Sequence, residues 1–334
     1  MIKCLLIAVL MSLTGRASAD LSRTAAAILA QQPEAHVIAG QDGWRFLANE
    51  LRHVAKGADW VAPAEPPDPP HADPLPALLE LHRQLTELDI ELVIVPVPAR
   101  AVVVADKLPP VDGAAAPVTS SLSGLSAFLD HLRGQGMTVV DLHPILAGGP
   151  AGGDPLYCRT DSHWTPEGAA RAAESVATIL REQAWFANAP RTAMRRADPE
   201  TLPITGDLAA PDGSGETVTW QRVARADGQP VIDETGPVLV LGDSHTLVFS
   251  TGGDMHAEDG GFVEHLAYAL QLPVERIANR GSASTPPRIA LFRKAAAQPD
   301  WLAGKRAVVY CFTARELTES LNGWRIVPVS PRFR

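Results

Sequence analysis

Apolar positions along the chain switch repeatedly between helical and strand spacing. Over residues 75–88, Leu78, Leu81, Leu85 and Leu88 recur at the helical period. Residues 91–97 form an apolar, β-branched run that predicts a buried strand. A helix is expected over 121–132, closed by Gly134 and Gly136, and a second strand over 137–142. Residues 165–183 are amphipathic and long, with Thr165 placed to cap the helix and Pro166 at its first position. Residues 201–235 read as irregular or β-rich. Beyond them come a buried strand at 237–241, a helix at 261–270 and a short strand at 275–278. A helix at 288–297 and a last strong strand at 306–312 complete the pattern. Strands that alternate with helices predict a parallel sheet covered on both faces. Ligands in such sheets bind beyond the strand C-termini.

The first 19 residues stand apart. Lys3 precedes a short apolar run, and Ala17-Ser18-Ala19 offers small residues at a cleavage site, so an export signal cut after Ala19 is expected. Residues 61–76 carry seven prolines and read as an extended surface connection. The expected division is therefore a signal peptide (1–19), an N-terminal elaboration with its proline-rich connection (20–76) and a catalytic domain (77–334). Loss of Lys3 and Arg16 takes the formal charge from −9 to −11, which disfavours nucleic acid as a partner. An exported chain would keep Cys158 and Cys311 in an oxidising compartment, where they are either a candidate disulfide near the site or two buried thiols.

Two short segments carry the chemistry. Asp161-Ser162-His163-Trp164-Thr165 precedes a helix start, and Gly242-Asp243-Ser244-His245-Thr246 follows a strand end. Together they supply a hydroxyl nucleophile, an imidazole base and a carboxylate to orient it. Gly242 allows a sharp turn that would project Ser244 and leave its N–H for an oxyanion. Asp243 is expected to hold that turn through backbone amides. His245 is a rival base, set second because adjacent side chains point apart. Asp161, His163, Asp243 and His245 also have the donor types of a metal site, but no further close histidine pair supports one; neither metal nor cofactor is expected. Around the site, Asn279 and Gly281 are candidate oxyanion donors. Arg315 is a candidate contact for donor or acceptor, and Trp164 is either a sugar-stacking face or a core wedge. Trp44 is expected to pack rather than bind.

The stretch from Leu156 to Thr165, with Gly168-Ala169 beyond it, resembles the Asp-x-His-Trp motif of the alginate O-acetyltransferase family of AlgJ and AlgX. Val238 to Thr246 is similar to that family's serine block. Further similarity lies in the stretches from Gly40 to Leu47 and from Val95 to Arg100, where the family usually carries Lys at the position of Arg100. Val140-Asp141-Leu142, Gly206-Asp207-Leu208 and Phe312 to Leu317 also fit. The resemblance implies a flavodoxin-like α/β/α sandwich of the SGNH-hydrolase type. It implies Ser244 as nucleophile, His163 as base and Asp161 as orienting acid. It further implies a periplasmic enzyme that acetylates a polysaccharide acceptor, supplied with acetyl groups by a membrane-bound O-acyltransferase and associated with a polysaccharide secretion complex. The alternatives are a carbohydrate acetylesterase of the SGNH type and a non-catalytic scaffold of a polysaccharide acetylation or secretion complex.

Overall fold

The computed structural model describes residues 21–57, 71–111, 123–148 and 156–333. The export signal and most of the proline-rich connection fall outside the described residues. β1 (Val37–Ala39) and β2 (Arg45–Leu47) form an N-terminal hairpin. Its turn runs through Asp42 and Gly43, both at positive φ, the conformation that an Asp-Gly pair tolerates. β3 (Glu91–Val97) and β4 (Thr138–Val139) are the first strands of the main sheet. β5 (Met194–Arg196), β6 (Glu200–Ile204), β7 (Glu216–Trp220) and β8 (Val223–Arg225) build two antiparallel ribbons, β5 with β8 and β6 with β7. β9 (Val238–Gly242), β10 (Val274–Ala278) and β11 (Ala307–Thr313) return to the main sheet.

That sheet has five strands, all parallel, in the order β10-β9-β11-β3-β4. Every residue of β9 and β11 is buried, as is all of β3 after Glu91. Unbroken apolar strands are what a parallel sheet covered on both faces requires. The covering helices include Leu75–Thr86, Pro166–Arg181, Phe262–Leu270 and Pro286–Ala297. Leu21, Ala25 and Ile28 of the helical residues 21–31 are buried in the same hydrophobic core, so the N-terminal elaboration is packed rather than trailing. No helix among the described residues is long and apolar enough to cross a membrane.

The flavodoxin-like sandwich is the observed architecture, and one expected element shrinks. The strand expected over 137–142 is only two residues long, because Asp141 accepts the His143 amide and the chain enters the short helix His143–Leu146. The β-rich stretch of 201–235 resolves into the two ribbons. Thr165 caps its helix as expected, accepting the Gly168 amide at 3.1 Å with Pro166 at the first helical position.

Register fixes where chemistry can sit. Gly242 pairs with Ala278 and Cys311, and Thr313 pairs with Val97. Four strands therefore end at one edge, and Asp243, Asn279, Ala314 and Pro98 follow directly from it.

Candidate active site

Gly242 ends β9 in close quarters. A Cβ there would overlap the Thr246 side chain and the Cys311 carbonyl, so only glycine lets the chain turn at this point. The chain then winds into a single 3-10 turn, Ser244–Thr246. Asp243 holds it: Oδ1 accepts the His245 amide at 2.9 Å, and Oδ2 accepts the Thr313 amide from β11 at 2.7 Å. The role anticipated for Asp243 is thus observed. Ser244 is half-buried, and among the described residues neither its hydroxyl nor its N–H is engaged in a hydrogen bond.

The second segment is a tight loop closed by a bridge between Tyr157 and Trp164. Cys158 N–H donates to the His163 carbonyl and Thr165 N–H to the Leu156 carbonyl, so the loop folds back on itself. Neighbouring elements pin it from outside. The Tyr157 hydroxyl donates to the Pro98 carbonyl just past β3. The Thr160 amide and hydroxyl both reach Glu216, and the Ser162 amide and hydroxyl both reach Asp207 at 2.6 Å. Gly206 lies so near Thr160 and Asp161 that a side chain has no room there.

Within this loop His163 Nδ1 lies 2.6 Å from Asp161 Oδ1, which also accepts the His163 amide at 3.0 Å. An ionised carboxylate only accepts, so Nδ1 carries a proton, and in the neutral imidazole the lone pair is then on Nε2. That is the tautomer a general base needs. Burial works to raise the Asp161 carboxyl, but hydrogen bonds from His163 and His256 override it and hold the group well below the ordinary carboxylate range. The carboxylate is therefore ionised at neutral pH.

The rings of His163 and His245 meet edge to face with centroids 4.9 Å apart, which brings the two sequence segments together. His245 has its own acid, with Nδ1 3.2 Å from Asp243 Oδ1. Burial pushes the His245 imidazole down against the pull of Asp243, so it is neutral. No hydrogen bond joins Ser244 to either imidazole among the described residues; such contacts often close only with substrate in place.

Other expected residues fare differently. Trp164 is fully buried, stacked on Phe262 at 5.5 Å and set edge-on to His245. It is a core wedge and offers no face to a sugar. Cys158 and Cys311 are free, buried thiols, the second of the two alternatives, and the candidate disulfide is not formed. Cys158 points at the Trp164 carbonyl inside its loop, while Cys311 lies in the middle of the sheet. The Asn279 backbone N–H donates to the Gly242 carbonyl, which leaves its exposed side-chain carboxamide as the group that could serve as a donor. Gly281 is exposed at the same rim, with φ +79°. Arg315 is half-buried just past β11, donating to Thr313 Oγ1 at 3.1 Å. Trp44 is buried, as expected.

One group of metal-ligand type occurs among the described residues: Asp161, His163 and Asp207. It differs from the set suggested by the sequence. Both Asp207 oxygens accept from Ser162, and both Asp161 oxygens accept hydrogen bonds, so each carboxylate is already held by protein donors.

Sequence reasoning missed His256. Its Nε2 lies 2.9 Å from Asp161 Oδ2, on the side of the carboxylate away from His163. Nothing in its glycine-rich surroundings, Gly252-Gly253-Asp254-Met255, has a helical or strand period to place it.

The family model described as "SGNH hydrolase-like domain, acetyltransferase AlgX" matches residues 37–302. Among curated relatives, the alginate biosynthesis protein AlgX of Pseudomonas putida is 31% identical over 53% of this chain and 38% of its own length. The probable alginate O-acetylase AlgJ of Pseudomonas syringae pv. tomato is 25% identical over 76% of this chain and 62% of its own. The chain thus spans less than two thirds of either relative. Among solved structures, the O-acetyltransferase domain of Pseudomonas putida AlgJ superposes with a TM-score of 0.63 at 22% identity, covering 84% of this chain and 92% of that one. Pseudomonas aeruginosa AlgX gives 0.61 at 17% identity, over 87% of this chain and 65% of that one. At those identities the superpositions establish the shared fold.

Proposed function

The chain belongs to the family of SGNH hydrolase-like acetyltransferase AlgX domains, and from that premise we propose that it transfers acetyl groups through Ser244 to hydroxyls of an exopolysaccharide. The observation that carries this reading is the buried Asp161–His163 pair, 2.6 Å between heteroatoms, facing the turn that begins with Ser244. In the first half-reaction Ser244 Oγ attacks the acetyl carbonyl while His163 Nε2 takes the hydroxyl proton. The tetrahedral oxyanion draws on the unengaged Ser244 N–H. Collapse expels the donor's leaving group, which takes the proton from His163 and leaves acetyl-Ser244. In the second half-reaction a sugar hydroxyl attacks that ester as His163 takes its proton. Collapse frees the acetylated sugar and returns the proton to Ser244.

Asp161 stays a carboxylate throughout and stabilises the imidazolium each time it forms. The names of AlgX and AlgJ relatives support an alginate-like acceptor. The N-terminal sequence supports export to the periplasm, and there a membrane-bound O-acyltransferase would supply the acetyl groups within a polysaccharide secretion complex. The reading is tested by incubating the protein with an acetyl donor and uronate oligosaccharides and weighing the products. Acetylated oligosaccharide, lost in Ser244→Ala, is the expected result. Free acetate as the sole product would replace transfer with ester hydrolysis.

A further inference from the structure

We propose that His256 is a positioning residue of this site, a second imidazole that clamps Asp161 from behind and ties the nucleophile's segment to the base's segment. The inference rests on the Ser244–His163–Asp161 reading given above.

The geometry begins with the Asp161 carboxylate. Oδ1 accepts from His163 Nδ1 at 2.6 Å; Oδ2 accepts from His256 Nε2 at 2.9 Å and from the Asp207 amide at 3.2 Å. Both oxygens are thus held, and the carboxylate cannot swing about its Cβ bond without breaking a contact on each side. The acceptor-only carboxylate requires a proton on His256 Nε2, as it does on His163 Nδ1. One acid therefore orients the base while a second imidazole orients the acid.

His256 also belongs to the nucleophile's own stretch of chain. The Ser244 carbonyl accepts the Leu247 and Val248 amides, and the chain continues through Phe249 into a loop closed by a bridge between Thr251 and Glu258. Gly252 N–H donates to the Ala257 carbonyl, and Phe249 N–H to the Met255 carbonyl. The His256 side chain is 8% exposed, and its ring lies against Phe249 at 5.4 Å. Residues 243–260 thus supply Ser244 and His256, whereas residues 156–165 supply Asp161 and His163. The His256–Asp161 contact joins these two segments by side chains and sets the spacing between nucleophile and base.

The backbone bears the mark of that placement. His256 sits at φ +72° and ψ −79°, a conformation that residues with a side chain rarely adopt. Phe249 and Asp259, at the two ends of the loop, are also at positive φ. Such strain persists where surrounding contacts over-determine it, and it clusters at functional sites.

Two variants separate positioning from bulk structure. Gln at 256 extends an N–H donor to about the place of Nε2, whereas Leu fills similar space with no donor. With a soluble acetyl ester as donor and water or a uronate oligosaccharide as acceptor, His256→Leu is expected to lower kcat about tenfold or more with KM unchanged. His256→Gln is expected to recover most of that loss. Equal kcat in wild type and His256→Leu, with Ser244→Ala inactive, would overturn the inference and leave the serine mechanism standing. Full activity in Ser244→Ala would overturn both. Should His256→Leu not fold, 15N-histidine NMR of the intact protein decides: a proton on His256 Nε2 supports the clamp, and a bare Nε2 overturns it.

Discussion

Asp243 fastens the end of β9 to the end of β11, its Oδ2 accepting the Thr313 amide at 2.7 Å. The same carboxylate takes the His245 amide and its Nδ1, so the turn that presents Ser244 is held by one buried side chain. Burial works to raise this carboxyl, but His245 and the two amides override it and hold the group at about 2, against an ordinary 3.8. A depressed carboxyl contributes stability that is fully present above its unfolded value and is lost as pH falls through its folded value. Asp243→Asn is therefore expected to cost about 2 kcal/mol at pH 7. Urea unfolding at a series of pH values checks this: the gap between wild type and variant should close from about pH 4 to pH 2.

Ser244→Ala and His163→Gln should each abolish acetyl transfer by about a thousandfold or more while leaving the unfolding midpoint within about 0.5 kcal/mol of wild type for the serine variant. The two changes together should cost little more than either alone, because the groups act as one unit. A serine-directed sulfonyl fluoride should label Ser244 in wild type and not in His163→Gln, read by peptide mass mapping.

The cysteines give a redox prediction. Burial pushes both thiols well above their ordinary value, so neither provides thiolate at neutral pH. Alkylation of the folded protein should spare Cys158 and Cys311, and both should react once denaturant is added. The melting temperature should be indifferent to dithiothreitol; a drop on reduction would show a bridge.

Much of this site was readable from residue order because its parts are local. The strand at 91–97 has the bounds read from its β-branched run, since a strand buried on both faces needs that composition wherever it lies. The Asp161–His163 bond spans two residues, and the Thr165 cap spans three, so sequence spacing alone constrains them. The contacts that escaped notice are distant ones. His256 reaches Asp161 across 95 residues and Asp207 reaches Ser162 across 45, each carried on irregular backbone without a period. Trp164 could be read as a sugar face or as core, because an aromatic beside a catalytic pair looks the same in either role. Only the packing of Phe262 against it decides between them. The cysteine pair stayed open between bridge and free thiols for a related reason: nearness of two cysteines to one site is not nearness to each other, and β11 holds Cys311 inside the sheet.

Gly206 offers a test of how closely the Asp161 loop must be held. It lies in the turn after β6, and its Asp207 neighbour binds Ser162 through both carboxylate oxygens. A methyl group on Gly206 would run into the Thr160 carbonyl and into the Asp161 backbone and Cβ. Two of these are backbone atoms and the third is a Cβ fixed to the backbone, so none can step aside as the end of a flexible side chain would. Gly206→Ala must therefore push the two turns apart, which loosens the Asp207 amide from Asp161 and shifts the carboxylate under His163. Overpacking of this kind costs about 1–3 kcal/mol. The loss of acetyl transfer should be larger than that destabilisation explains, because a displacement of about 1 Å in an orienting group can cost a hundredfold in rate. Measured at a temperature where the variant remains fully folded by circular dichroism, its kcat should fall by at least about tenfold. A folded Gly206→Ala protein with wild-type kcat would show that the loop tolerates the shift and that His163 is positioned by other means.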